Sequence, residues 1–214
     1  MVRMAEIPKF KELIDAIVAA DDSVVRQILS ETPQVATATI KVGATRENPT
    51  EYFVDELKHY LYAGDTALHT AAMAYRAGVA KLLVQSGADV RAKNRRGAEP
   101  LHYAADGSPN LPTWDPEAQY KTVMILIELG ADPNCLDKSG VAPIHRAVRT
   151  RCTGAVRALI DGGADVNLKN KAGSTPLLLT TMTTGKSGSG SVETKRECEQ
   201  IIKLLKKSDA KPID

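Results

Sequence analysis

The sequence predicts an all-α solenoid of about four stacked helix-turn-helix units, with finger loops between units and three insertions breaking the period. Three observations predict it. A phrase recurs along the 214 residues, as GDTALH at 64–69, GAEPLH at 97–102, GVAPIH at 140–145 and GSTPLL at 173–178, with spacings of 33, 43 and 33. A second phrase keeps the same phase: SGADVRAKN at 86–94, LGADPNCLD at 129–137 and GGADVNLKN at 162–170. Between the phrases, apolar residues fall at i, i+3 and i+4, as in Val79, Leu82 and Leu83 or Val156, Leu159 and Ile160, which is the spacing of one helix face.

These phrases resemble the ankyrin repeat, whose T-P-L-H and G-A-D-V-N signatures recur every 33 residues. The resemblance is strong over 64–178, while 10–35 and 192–208 match only as amphipathic helices. It implies an ankyrin-repeat solenoid in which each unit buries its apolar face on its neighbours, so that stability spreads along the array. It also implies that His69, His102 and His145 are structural, their rings bonding backbone groups between repeats. Leu178 replaces that histidine in the last unit, as befits a terminal repeat.

The elements follow in order. Residues 1–36 are expected to form an N-terminal capping helix pair, with Leu13, Ile14 and Ile17 on one helix and Val25, Ile28 and Leu29 on the other. Residues 37–63 are an inserted finger segment. Within it, Asn48-Pro49-Thr50-Glu51 reads as a helix start, with Asn as N-cap and Pro at the first position, so a helix is expected near 49–62. Residues 64–172 hold three repeats, the second with an insertion near 106–119. Gly87, Gly130 and Gly163 stand where the second helix of each unit ends, a position that favours glycine. Residues 173–208 are a C-terminal capping repeat with a flexible Gly/Ser loop near 183–192, and 209–214 are a tail. That loop contains Gly185-Lys186-Ser187, but a phosphate loop needs a glycine at 180, where this chain has Thr, so nucleotide binding is not expected.

Composition narrows the function. With 43% hydrophobic and 25% charged residues the chain has an ordinary globular balance, and no apolar run reaches membrane-spanning length. The net charge of +2, from 28 basic and 26 acidic residues, lacks the excess that phosphate neutralisation calls for, so no nucleic-acid partner is expected. The segment Met1–Phe10 lacks an apolar signal core, and Cys135, Cys152 and Cys198 have no CxxC spacing. The expectation is a monomeric cytoplasmic (intracellular) protein with reduced thiols, no membrane association, no cofactor and no metal.

Binding to another protein or peptide is therefore the expected function, with no enzymatic activity. The resemblance carries the binding face to the concave side, made of finger loops and inner helices. On this chain that gives the fingertips Arg95, Arg96, Lys138 and Lys171, and the inner-helix ends Met73, Asp106 and Arg149. Arg91 and Lys93 add to the fingers, and Arg146 and Arg151 flank Arg149, so the face has a basic bias suited to an acidic partner. Aromatic residues are scarce, yet Tyr52, Phe53, Tyr60, Tyr62, Trp114 and Tyr120 fall in or beside two insertions. Two readings stand: they seal the insertions onto the solenoid, or Tyr52, Phe53, Tyr60 and Trp114 form a binding hot spot. The alternative function is an enzyme or small-ligand site in a groove lined by the insertions at 37–63 and 106–119, using Asp55, His59, Tyr60, Asp106, Trp114 and Asp115.

Overall fold

Each repeat phrase nucleates a short helix, because Thr or Pro at its start fits a helix N-terminus and the following Leu-His pair turns inward. A computed structural model describes residues 8–107, 109, 114–182 and 192–211. Five helix pairs stack in a row: α1 Pro8–Val18 with α2 Asp22–Glu31, α3 Ala67–Met73 with α4 Ala77–Gln85, α5 Pro100–Ala105 with α6 Pro116–Glu128, α7 Pro143–Arg149 with α8 Thr153–Asp161, and α9 Pro176–Leu179 with α10 Val192–Lys207. Helices α1, α3, α5, α7 and α9 form an inner row and the others an outer row. The core runs through both, from Leu13 and Ile17 past Leu68, Leu101 and Ile144 to Ile201 and Leu205. The fold is the all-α ankyrin solenoid. Among the described residues no helix is long and apolar enough to cross a membrane.

The outer helices end as their glycines dictate. At Gly130, φ is +102°, and the Ala131 N–H reaches back to the Leu126 carbonyl at 2.9 Å, closing the helix in a left-handed cap. The fingers are built by one side chain per repeat. Asn94 Oδ1 accepts from the Arg96 and Ala98 N–H groups at 2.9 and 3.1 Å, Asp137 Oδ1 from Ser139 and Val141 at 2.8 and 3.0 Å, and Asn170 Oδ1 from Ala172 and Ser174 at 2.9 and 3.0 Å. Neighbouring fingers bond directly, the Lys138 N–H donating to the Arg96 carbonyl at 2.9 Å. Gly97 permits that approach, since a Cβ there would lie 2.9 Å from the Lys138 nitrogen.

The histidines staple one unit to the next. In each, Nδ1 accepts a backbone N–H at the start of its own helix, from Thr66, Glu99 or Ala142 at 3.1, 3.1 and 3.0 Å. That leaves Nε2–H to donate onward, from His69 to the Ala98 carbonyl at 3.1 Å, from His102 to Val141 at 2.9 Å and from His145 to Leu168 at 2.9 Å.

The first insertion departs from expectation. In place of the helix near 49–62, a 3-10 turn at Thr50–Tyr52 leads into an antiparallel ribbon of β1 Phe53–Val54 and β2 His59–Tyr60. The Asn-Pro-Thr-Glu signal starts one turn only. The ends of the insertion are already held together, Ile40 N–H bonding the Asp65 carbonyl and Ala44 N–H the Leu61 carbonyl, each at 2.8 Å, so the segment is closed into a loop that pairs with itself. Residue alternation then decides the outcome: Tyr52 and Leu61 are 3% and 2% exposed, whereas Tyr60, one residue on from the buried face, is 37% exposed and stacks with Phe53 across the ribbon at 4.8 Å. Lys58 completes the turn at φ +49°.

The second insertion, expected near 106–119, yields its last residues to α6. Asp115 caps that helix by accepting from the Glu117 and Ala118 N–H groups at 2.9 and 3.0 Å, and α6 has 13 residues against 9 in α4 and α8. The Gly/Ser loop expected near 183–192 lies outside the described residues except for Val192.

Candidate functional site

The ribbon comes to rest on the inner row. Its His59 ring lies 4.8 Å from the ring of Tyr103 on α5, and its outgoing strand brings Tyr62 onto the first full finger. There the guanidinium groups of Arg95 and Arg96 stand 5.4 and 5.0 Å from the Tyr62 ring, Arg96 donates to the Tyr62 hydroxyl at 3.0 Å, and Arg95 donates to the Ala44 carbonyl. Beneath this contact sits a buried polar knot. Asp65 accepts from Tyr103 Oη at 2.9 Å on both oxygens, from Asn94 Nδ2 at 2.8 Å and from the Tyr62 N–H at 2.6 Å. Burial pushes the Tyr103 phenol well above its ordinary pKa, and the Asp65 carboxylate adds to the shift, so the hydroxyl stays a donor.

The basic residues divide into two groups. Lys138 and Lys171 are exposed on successive fingertips, with Lys171 Nζ donating to the Lys138 carbonyl at 2.6 Å. Arg149 is exposed at the end of α7. Arg95 and Arg96 are exposed as well, but they also clasp the insertion. Four other cations have partners within the structure, two of them buried and two exposed. Arg146 is buried and donates to Asp137 Oδ2 at 2.9 Å, while Arg151 is buried and donates to the Val148, Thr180 and Met182 carbonyls at 3.3, 3.2 and 2.9 Å. Arg91 leans towards Glu99 and Asp132 at 3.8 and 3.6 Å, and Lys93 towards Glu99 at 3.6 Å.

The aromatic residues divide likewise. Tyr52 is buried against the core and seals the insertion, whereas Phe53 and Tyr60 form the ribbon's outer face. Trp114 is half-buried, its ring nitrogen held by Gln119 Oε1 at 3.0 Å. Gln119 is wholly buried, and its Nε2 donates to the Ala104 and Asp106 carbonyls at 3.0 and 3.2 Å.

The two insertions meet over a cavity of about 480 Å³. The ribbon turn supplies Glu56–His59, the second insertion Asp106, Gly107 and Trp114, and the ends of α1 and α3 the rest, including Met73 and Arg76. Its size is that of a small-ligand site. The sequence points to Met73, His59, Asp106, Gly107 and Trp114 separately, but not to Glu56, Tyr75 or Arg76. Tyr75 sits at φ +53° and donates to the Asp106 carbonyl at 2.7 Å. Nothing in the repeat pattern marks it. A clearer signal is the pair of small residues, Ala74 and Gly107, following the inner helices where the insertions converge.

One buried cluster resembles a thiol active site by composition. Cys135 Sγ lies 3.7 Å from His102 Nδ1, with Glu99 beside it. Its chemistry is the reverse of a nucleophile's. Burial raises the Cys135 thiol far above its ordinary pKa and lowers His102 to about 3, so thiol and imidazole stay neutral, and burial raises Glu99 as well. His102 Nδ1 already accepts the Glu99 N–H. Among the described residues no cluster of His, Cys, Asp and Glu is arranged to hold a metal ion.

Comparison with known families matches the chain from residue 13 to residue 179. A model for ankyrin repeats in three copies matches residues 13–111, one for a single ankyrin repeat matches 96–138, and one for ankyrin repeats in many copies matches 126–179. No curated protein matches the chain.

Proposed function

This chain belongs to the ankyrin-repeat family, whose repeats are generally protein–protein interaction modules, and we propose that it binds a protein or peptide partner through the finger and inner-helix face as a scaffold or adaptor. The observation that supports this is the row of exposed cations, Arg95, Arg96, Lys138 and Lys171, on three consecutive fingertips joined by direct bonds. A rigid row of one charge suits a partner with an acidic surface. Arg149 extends it onto the inner helices, and Met73, Asp106, Phe53, Tyr60 and Trp114 continue the same face at the N-terminal half. Tyr52 acts from beneath, by fixing the ribbon. The partner is neither nucleic acid nor membrane, and the protein works as a cytoplasmic monomer without a catalytic role of its own.

The ribbon changes how that face is used. It touches α5 through His59 and shares cavities with the ends of α1 and α3, so a large partner engages the fingers and the C-terminal half of the concavity. A segment thin enough to reach the cavity engages the N-terminal half. The cavity between the insertions also favours a second reading, in which a small ligand binds there.

Affinity capture tests the first reading. Wild-type protein is compared with Lys138→Glu/Lys171→Glu and with Lys81→Glu, a control on the outer helix α4. Removing rim charges lowers on-rate and salt dependence more than it alters the bound state. The finger variant is expected to retain at least several-fold less partner, with the control unchanged. Equal retention by all three proteins would remove the finger face from the account.

A further inference from the structure

We propose that the cavity between the two insertions is a recognition pocket for a cationic side chain, a lysine or arginine carried by an extended partner segment. The inference rests on the partner-binding reading and adds the chemistry of one anchor. Charge decides the class of occupant. Four charged residues other than His59 line the cavity besides its apolar wall: Glu56, Lys58, Arg76 and Asp106. The two cations are already committed, Lys58 to Asp55 at 3.0 Å, and Arg76 to Asp22 and the Ala20 carbonyl. The Glu56 and Asp106 carboxylates have no side-chain partner among the described residues, so the cavity carries an unmet negative charge. The inner helices α3 and α5 both end at its edge, and the partial negative charge of a helix C-terminus acts in the same sense.

The walls fit the stem of such a side chain. Val18, Leu57 and Met73 line the cavity with apolar surface for methylene groups, and Trp114 lines it with an aromatic ring, a group that attracts cations. The site is also held in shape before anything binds. Gln119 fixes the Trp114 ring from one side and the Asp106 backbone from the other, and Tyr75 holds the same Asp106 carbonyl at 2.7 Å. Gly107 lets the loop pack closely beneath the cavity, since a Cβ there would stand 2.6 Å from Cys152 Sγ and 2.7 Å from Tyr75 Oη. His59, on the Tyr103 side, closes the cavity towards the polar knot. The concave face is thus two-ended, basic along the fingers and at the end of α7 and acidic where α3 and α5 end, and it suits a segment whose own charge changes sign along its length.

Trp114 is the chain's one tryptophan, so its fluorescence reports on the cavity without a label. The full-length protein is titrated with the capped tripeptides Gly-Arg-Gly and Gly-Lys-Gly, with Gly-citrulline-Gly as the uncharged isostere and Gly-Glu-Gly as the anion. The arginine and lysine peptides are expected to give a saturable change, with affinities at least about tenfold above citrulline and no saturation with glutamate. Asp106→Asn and Glu56→Gln, each checked for an unchanged thermal transition, are each expected to weaken the arginine peptide by about tenfold, the effect of losing a contact to a charged group. Equal affinity for citrulline, preference for glutamate, or no saturable change with any peptide overturns the pocket. The Lys138→Glu/Lys171→Glu protein should bind the arginine peptide as wild type does. Partner capture that survives while the peptide titration fails would sink the pocket alone, and the opposite pattern would sink the finger face alone.

Discussion

The phenol of Tyr103 donates to the carboxylate of Asp65 from 38 residues away, at 2.9 Å from both oxygens, and joins the second full repeat to the base of the first insertion. Asp65 is completely buried and has no exposed water to turn to, so each of its donors matters. Tyr103→Phe is expected to cost about 1.5–3 kcal/mol, as for a hydrogen bond to a charged group. Asp65→Ala should cost more, because it strands the Tyr62 N–H, the Asn94 amide and the Tyr103 hydroxyl together. Urea denaturation of the two variants checks this, and a Tyr103→Phe protein as stable as wild type would refute the role given to the knot.

Acid should loosen the staples between repeats. Burial lowers the imidazole pKa of His69, His102 and His145 below the ordinary 6.5, that of His102 to about 3. The unfolded rings take up protons near 6.5 while the folded rings stay neutral, so the unfolded state binds more protons as pH falls. Stability held above pH 6.5 is therefore lost as pH drops below it, for His102 down to about 3 at about 1.4 kcal/mol per pH unit, with His69 and His145 adding in the same direction. Buried Glu99 opposes this in part, because its raised pKa lets the folded state take a proton first. The denaturation midpoint at pH 5 should lie below that at pH 7.5, and a flat or rising profile between them would contradict the staple geometry.

Gly43 holds the stem of the insertion closed. A Cβ there would stand 2.2 Å from the Ala63 nitrogen and 2.4 Å from the Tyr62 carbonyl carbon, closer than atoms can pack. Gly43→Ala should cost about 1–3 kcal/mol through overpacking and speed amide exchange at Ala44, whose N–H donates to the Leu61 carbonyl, and at Leu61, whose N–H donates to the Tyr52 carbonyl. The staples farther along the array should be unaffected, because repeats couple chiefly to their neighbours. Exchange at Ala44 and Leu61 that matches wild type would show that the ribbon does not depend on this contact.

The thiols should react unequally. Cys135 and Cys152 are buried, and burial pushes the Cys152 thiol up to about 12, whereas Cys198 is half-exposed on α10. A thiol-specific chromogenic reagent is expected to label one cysteine rapidly in native protein and three after denaturation. Rapid native labelling of Cys135 would reopen the reading of the Cys135–His102–Glu99 cluster as reactive.

The repeat was legible because its signals are local. A glycine cap, an Asn or Asp that bonds its own finger and a Leu-His pair each act within a few residues, so they appear as phrases at fixed spacing. The ribbon was not legible for the opposite reason. Phe53, Leu57 and Leu61 are four apart and read as a helix face, but the pairing of Ala44 with Leu61 and of Ile40 with Asp65 is what sets the geometry, and no phrase encodes it. The cations show the same limit. Arg146 and Arg149 are three residues apart on α7 and look alike in sequence, yet one is buried on Asp137 and the other faces solvent. Which side of a helix is covered depends on what an insertion or a neighbouring finger lays upon it.

Amide hydrogen exchange of the chain with and without a captured partner tests the partner face most directly. Protection is expected at the fingers around 94–98, 137–141 and 170–174 and along α7, with the outer helices α4, α6 and α8 unchanged. Protection confined to those outer helices, with the fingers exchanging as in the free protein, would contradict the account.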